Sequence, residues 1–370
     1  MNDTNVINEL VEVGKAFRLE GEFSDYNLIT CGNINTTYRV FYKNPDKSYI
    51  FQKVNTYVFR EPVKIMQNID LVTEHIRKKN VGKTALHFHH TADRLNYFST
   101  EEGKFWRITN DLESVTYQGA AAPEVLRQAG KAFGNFQYQL SDFDTSLLHE
   151  TIPNFHNTKK RLEGFFKNIE KDEFGRVKEV EEEIEFIRSH REIASHLSEL
   201  VEENKIPIRV THNDTKINNV LFNKETGEPI TVIDLDTVMP GLACYDFGDA
   251  VRFAANTAAE DEKDISKVSL DLELYECFTE GFISSAGSIL TDVELETMAL
   301  GALTITIELG MRFLDDYITG DKYFTTRYEG HNLDRARCQI ALAKDMEKKR
   351  EEMNKVVFKT VEKVKKSNVL

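Results

Sequence analysis

The chain has 370 residues, long for one compact core and comfortable for two lobes, and its 41% hydrophobic and 29% charged residues are ordinary for a globular protein. A net charge of -14 argues against a nucleic-acid or anionic-membrane surface, which would need clustered lysine and arginine. No uncharged apolar stretch approaches the roughly 18 residues of a bilayer span, and MNDTNVINEL lacks the basic start and apolar centre of a signal peptide. Cys31, Cys244, Cys277 and Cys338 lie too far apart for a CxxC metal clip, so reduced thiols in a cytoplasmic protein are expected. The expected partners are small molecules, with no nucleic acid and no membrane, for a monomer or small homo-oligomer.

In chain order, residues 26–54 read as strands: YNLIT, a break at CGNIN, TTYRVFY alternating at Tyr38, Val40 and Tyr42, a turn at NPDK, then SYIFQKV. Residues 63–79 read as a helix with Val63, Met66, Ile69, Val72 and Ile76 on one stripe. Strand-like sequence recurs near 84–90 and 104–109, and an extended hinge is expected near Thr109 to Ser114. Beyond about residue 120 the pattern is mostly helical, broken by a β island at 207–235 and ending in a charged amphipathic helix, EKKREEMNKVVFKTVEKVKKS, expected to be solvated. A β-rich first third before a helical remainder predicts a two-lobed α+β protein, divided into 1–110 and 111–370.

The β island carries the chemistry. THNDTKINNVLF holds His212, Asp214 and Asn219 in the spacing H-x-D-x-x-x-x-N, directly before a strand. KETGEP is a turn and ITVID the return strand; a two-residue loop at Thr226 and Gly227 would make facing residues sum to 453 and set Asn219 opposite Asp234. A bulge would shift that by one. One hairpin would then present an amide oxygen and a carboxylate side by side, a small set of oxygen ligands suited to Mg²⁺ shared with substrate phosphates.

The spacing matches the catalytic loop of the kinase superfamily. HND-TKINN followed by VIDLD resembles the aminoglycoside phosphotransferase-like small-molecule kinases. More narrowly, THNDTKINNVLF, VIDLDTVMPG and YDFGDAVRF look like N-acetylhexosamine 1-kinases, with GNINTTYRV, ETIPNFHNT and ELGMRFLDDY pointing the same way over residues 26 to 343. The resemblance implies a protein-kinase-like fold with a small β-rich nucleotide-binding N-lobe and a larger helical C-lobe. It implies transfer of phosphate from ATP, with Mg²⁺, to the anomeric hydroxyl of a hexosamine such as GlcNAc or GalNAc. By matching position, Asp214 would orient and deprotonate the acceptor, and Asn219 and Asp234 would hold the metal. Gly32 and Lys53 would meet the nucleotide phosphates, and Arg312, His156 and Tyr323 would contact the sugar.

Each residue also has a plainer reading. A lone H-x-D-x-x-x-x-N is weak; the hairpin ending in IDLD is what gives it weight. Asn219 could cap a turn and Asp234 end a strand. Asp236 is either a second metal contact or a solvated neighbour, and His212 is expected to pack the loop rather than carry a proton. Gly32 is the only glycine in CGNINTTY, and Lys53 could be a surface strand lysine whose acidic helix partner is Asp70 or Glu74. Arg312 sits in an apolar helical context, where an arginine needs a partner. YDFGDA contains the letters of the protein-kinase metal motif, but the resemblance implies a metal aspartate soon after the catalytic loop, as Asp234 is, and makes Asp246 the later, structural aspartate that ties a helix start to that loop. Rival functions are a kinase of an amino alcohol, homoserine or aminoglycoside, a non-catalytic kinase-like binding module, and a haloacid dehalogenase-like phosphatase using VIDLDTVM. The last would need repeated βα units after the motif, and it leaves HNDTKINN unexplained.

Overall fold

The structure is a computed structural model that describes residues 3–30, 34–80, 85–117, 119 and 122–367. Its contacts divide the chain into two units. The first is Met1–Ser114 with Ser146–Thr151 and Leu235–Val238; the second is Val115–Thr145, Ile152–Asp234 and Met239–Leu370.

In the first unit, helix α1 (Asp3–Ala16) precedes strands β1 (Glu22–Ile29), β2 (Thr36–Lys43) and β3 (Lys47–Val54). Helix α2 (Pro62–Lys79) and strands β4 (Phe98–Ser99) and β5 (Phe105–Asn110) complete it. The five strands form one antiparallel sheet in the order β1-β2-β3-β5-β4. The period-2 pattern of β2 and β3 puts Tyr38, Val40, Tyr42, Tyr49 and Phe51 on one face, where Leu10 and Val13 of α1 and Phe17 just after it cover them. Helix α1 has no counterpart in the sequence reading, although its apolar positions recur at helical spacing. Helix α2 begins with proline in its first turn, as a helix start favours, and buries Ile65, Met66, Ile69 and Val72; Val63 stays exposed. The strand expected near 84–90 reduces, over residues 85–90, to a single bridge between Phe88 and Thr109.

Asn68 of α2 captures two distant segments of its own unit. Its Nδ2 donates to His149 O (2.8 Å) and Val238 O (3.0 Å), while its Oδ1 accepts from His149 N (2.8 Å). A buried amide with each polar group matched is a strong local staple.

The second unit is chiefly helical: α3 (Pro123–Gln139), α4 (Thr158–Lys171), α5 (Glu181–Ser189) and α6 (Arg191–Glu202) come before the β island. The island holds β6 (Arg209–Thr211), β7 (Val220–Phe222), β8 (Pro229–Val232) and β9 (Met239–Gly241), paired antiparallel as β6 with β9 and β7 with β8. Then come α7 (Ala243–Ala254), α8 (Leu272–Ala286), α9 (Asp292–Ile318), α10 (His331–Lys348) and α11 (Arg350–Ser367). No strand follows β9 among the described residues, which removes the repeated βα units that a haloacid dehalogenase-like reading needs.

Helix α9 has 27 residues and starts with a reciprocal cap between Thr291 and Glu294. By length and composition it could cross a membrane, but 89% of its apolar window is buried inside the structure, where it serves as a core helix. The C-terminal helix is not simply solvated. It buries Met353, Val357 and Val361, Met353 O accepts from Tyr275 Oη of α8 at 3.3 Å, and Lys359 and Lys363 pair with Glu276 and Glu280 of that helix. Cys244, Cys277 and Cys338 are buried free thiols.

Candidate active site

The stretch from Thr211 to Asn219 is pinned from below by helix α7. Asp246, in its first turn, takes His212 N on Oδ2 and Asn213 N on Oδ1, both at 2.8 Å, and Gln137 Nε2 on Oδ2 at 2.8 Å. Burial pushes the Asp246 carboxyl up, although the His212 charge and these hydrogen bonds pull the other way. Thr215 adds two ties, donating from Oγ1 to Asp246 O (2.6 Å) and from N to Asp249 Oδ2 (3.1 Å). Asp249 in turn pairs with Arg252 at 2.8 Å. Asn213 is held at φ 62°, a left-handed conformation that asparagine tolerates better than most residues.

The letters Asp246-Phe247-Gly248 therefore have three structural explanations. Asp246 anchors the loop. Phe247 packs in the core against Tyr275, Phe278 and Phe282. Gly248 lets α7 approach α9 closely, since a Cβ there would lie 2.7 Å from Ala302 Cα.

Held this way, Asp214 stays partly accessible and points its two oxygens at different partners. Oδ1 meets Lys216 Nζ at 2.8 Å, and Oδ2 accepts from Asn219 Nδ2 at 3.1 Å. The same Nδ2 reaches Asp214 O at 2.9 Å. The Asp214 charge, outweighing burial, holds the Lys216 ammonium well above the ordinary lysine range. Lys216 stands only two residues beyond Asp214, yet the H-x-D-x-x-x-x-N spacing gives it no role; the ion pair does.

The hairpin register differs by one from expectation. Val220 pairs with Val232 and Leu221 with Thr231, followed by a bulge before Phe222. Asn219 thus faces Ile233, whose N donates to Asn219 O at 2.8 Å. The cause is the turn: Asn223 Oδ1 accepts from Glu225 N and Thr226 N, and Asn223 N donates to Glu228 O, making a longer loop with Gly227 at φ 70°. His212 is fully buried against the edges of Phe133 and Phe136 and donates from Nε2 to Ile233 O at 2.9 Å. Ile233 is clamped through both its N–H and its C=O, and Asp234 follows at φ 62°. A left-handed aspartate is sparsely populated and persists where its surroundings hold it.

By donor type, Asn219 and Asp234 suit magnesium. The amide nitrogen of Asn219 is spent on Asp214, which leaves its Oδ1 as an oxygen donor, and Asp234 adds a carboxylate. Among the described residues no group of three His, Cys, Asp or Glu forms a metal cage. A pair of oxygen ligands completed by substrate phosphates is the arrangement Mg²⁺ favours. Asp236 does not join it: it is buried in the first unit, ion-paired with Arg107 and accepting from Asn35 Nδ2 at 2.7 Å.

In the first unit, Lys53 lies 5.5 Å from the Trp106 ring centroid. Glu74 is taken by Arg77 (2.6 Å) and Asp70 by His90 (3.1 Å), so neither expected carboxylate is its partner. Gly32 lies outside the described residues.

His156, Arg312 and Tyr323, far apart in sequence, share one cluster of the second unit. The Arg312 guanidinium lies 5.3 Å from the Phe155 ring, 5.9 Å from Tyr323 and 5.5 Å from Phe324, so its partners among the described residues are aromatic faces. Asp316, one turn further along α9, sets the last two rings by accepting Lys322 N (2.9 Å), Tyr323 N (2.8 Å) and Phe324 N (2.9 Å). Glu308, one turn before Arg312, accepts from His156 Nδ1 at 2.9 Å and Thr158 Oγ1 at 2.6 Å, with Arg161 Nε at 3.6 Å. Burial, and then the neighbouring Arg312 charge, pull the Arg161 guanidinium below its ordinary range. The His156 ring lies 5.7 Å from that of Tyr245, the residue before Asp246, so α7 borders both this cluster and the loop of Asp214. Sequence reasoning missed Arg161, Glu308 and Asp316. A lone carboxylate in the apolar run ALTITIELGMRF was the available signal for Glu308.

Solved structures with the same fold include a microcompartment-associated aminopropanol kinase, with TM-score 0.61, 13% identity, and 95% of this chain and 99% of that one covered. Choline kinase from Cryptosporidium parvum Iowa II matches at TM-score 0.58 and 14% identity over 95% and 97% of the two chains. A spectinomycin phosphotransferase in complex with ADP and spectinomycin matches at 0.53 and 14% over 97% and 98%. These likenesses establish a kinase-like fold, with a small antiparallel-sheet lobe and a larger helical lobe. The model of the phosphotransferase enzyme family matches residues 25–267, spanning the sheet, the Asp214 loop, the hairpin and α7, and the chain belongs to that family.

Proposed function

We propose that the protein transfers the γ-phosphoryl group of ATP to the anomeric hydroxyl of an N-acetylhexosamine such as GlcNAc or GalNAc, giving the sugar 1-phosphate and ADP. In this reading residues 1–110 serve the nucleotide, with Gly32 and Lys53 at the phosphates, and residues 111–370 carry the chemistry. Asp214 accepts the hydrogen bond of the attacking hydroxyl and takes its proton as the new O–P bond forms and the bond to ADP breaks. Lys216 balances the charge on that carboxylate. Asn219 and Asp234 hold Mg²⁺, which when bound neutralises phosphate charge. Phosphoryl transfer asks mainly for such positioning and charge stabilisation.

The observation that carries the choice of acceptor is the charge around His156 and Arg312. The Arg312 guanidinium meets three aromatic rings and, among the described residues, no carboxylate within ion-pair distance, although Glu308 and Asp316 lie one turn away on either side and Asp315 acts on Arg161. An ammonium at about 4 Å from a guanidinium loses about 4 kcal/mol at an effective dielectric near 20. Arg312 therefore suits an acceptor oxygen that can receive its hydrogen bonds and disfavours an ammonium set directly against it. The aminopropanol and choline kinases share the fold at 13% and 14% identity, which says nothing of the acceptor here. The narrower sugar reading rests on the resemblance of 211–253, ETIPNFHNT and GMRFLDDY, and an anomeric hydroxyl is acidic enough for one carboxylate to steer. Incubation with labelled ATP and Mg²⁺ against free hexosamines and amino alcohols tests it. The expected product has lost its reducing end and releases phosphate in mild hot acid. A product that still reduces alkaline copper and keeps its phosphate in acid overturns the anomeric assignment.

A further inference from the structure

We infer that Glu308 is a positioning residue for the acceptor: it fixes the orientation of His156 and the placement of Arg161, and so sets acceptor affinity without touching ATP. The inference rests on the proposed placement of the acceptor at His156 and Arg312. Glu308 is fully buried midway along α9, among Thr304, Ile305, Ile307 and Met311. An ionised carboxylate there is tolerated only if its oxygens are matched. Both are, and by one short segment: His156 Nδ1 donates to Oε1 and Thr158 Oγ1 to Oε2, with the charge of Arg161 3.6 Å from Oε1. Burial pushes its pKa up, but the His156 charge and hydrogen bond and the charges of Arg161 and Arg312 outweigh it and hold the carboxyl below its usual range.

The consequences reach the surface of the cluster. A carboxylate accepts, so Nδ1 of His156 carries a hydrogen, and Nε2 is left as the atom available to a ligand. Rings of Phe155 (4.4 Å) and Tyr245 (5.7 Å) flank the imidazole and keep it from turning. Arg161 is fixed a second time by donating from Nε to Phe155 O at 2.7 Å. A purely structural ion pair would need none of this convergence on residues that border Arg312.

The test is Glu308→Gln, which keeps size but removes the charge and lets the amide present a donor to Nδ1. With the acceptor that the wild-type enzyme turns over, KM for acceptor should rise about tenfold or more while KM for ATP and acceptor-independent ATP hydrolysis stay within about twofold. Adding Glu308→Gln to His156→Ala should cost clearly less than Glu308→Gln costs alone, since part of its effect runs through His156 and only the Arg161 part remains. If Glu308→Gln lowers the melting temperature yet leaves acceptor KM unchanged, or if the two substitutions add fully, the inference is overturned. Should Glu308→Gln not accumulate as folded protein, Thr158→Val removes one fixing hydrogen bond and keeps the charge, and must show the same split in smaller degree. The anomeric reading fails separately: an amino alcohol found as the true acceptor would sink it, while these ratios, read with that acceptor, would still judge Glu308.

Discussion

The loop around Asp214 and the cluster around Arg312 lie in one unit but were built by different routes. The first runs from residue 211 to 234 and closes on itself through His212, Asn219 and Ile233, with α7 supplying Asp246 and Asp249. The second draws on 155–161, 308–316 and 322–324, joined through Glu308 and Asp316. Residues close in sequence can announce a site by their spacing. A site assembled across about 150 residues shows only as isolated polar residues in apolar surroundings.

The difference can be broken experimentally, starting with the largest effect. Asp214→Asn should cut turnover by roughly 10²–10⁴ while leaving fold and nucleotide affinity near wild type. Near-normal turnover would remove the proposed base and make the local site a binding loop only. Next, Asp246→Ala leaves His212 N and Asn213 N buried without their acceptor, takes one of two acceptors from Gln137 Nε2, and should destabilise the protein by about 3 kcal/mol or more. Asp234→Asn should instead weaken Mg²⁺-ATP binding and leave melting of the metal-free protein almost unchanged. A metal-dependent defect that follows Asp246 would reverse the assignment of the two aspartates. The smallest effect belongs to the distant cluster. Asp316→Asn sets an amide against Phe324 N and Asn332 Nδ2, frees the loop carrying Tyr323, and should raise acceptor KM by about threefold to tenfold with ATP KM unchanged. An equal rise in both constants would mean that the loop serves general stability.

Short-range geometry explains which expectations held. β2 and β3 were legible because alternation reports a half-buried sheet directly, and α2 because its stripe is long. The register of β7 with β8 slipped by one because the turn is set by Asn223 capping two backbone N–H groups, which a count of facing residues does not reveal. Asp236 was ambiguous for a similar reason. Whether an aspartate two residues past Asp234 is solvated or buried depends on Arg107, more than 100 residues earlier.

By itself, the sequence determined the kinase-like loop, the hairpin that follows it and the sheet-then-helices order, because each is written in contacts a few residues apart. Only the tertiary structure decided what Asp236, Glu308 and Asp316 do. A buried carboxylate takes its role from whichever donors the fold brings within about 3 Å, and no local pattern fixes which donors those are.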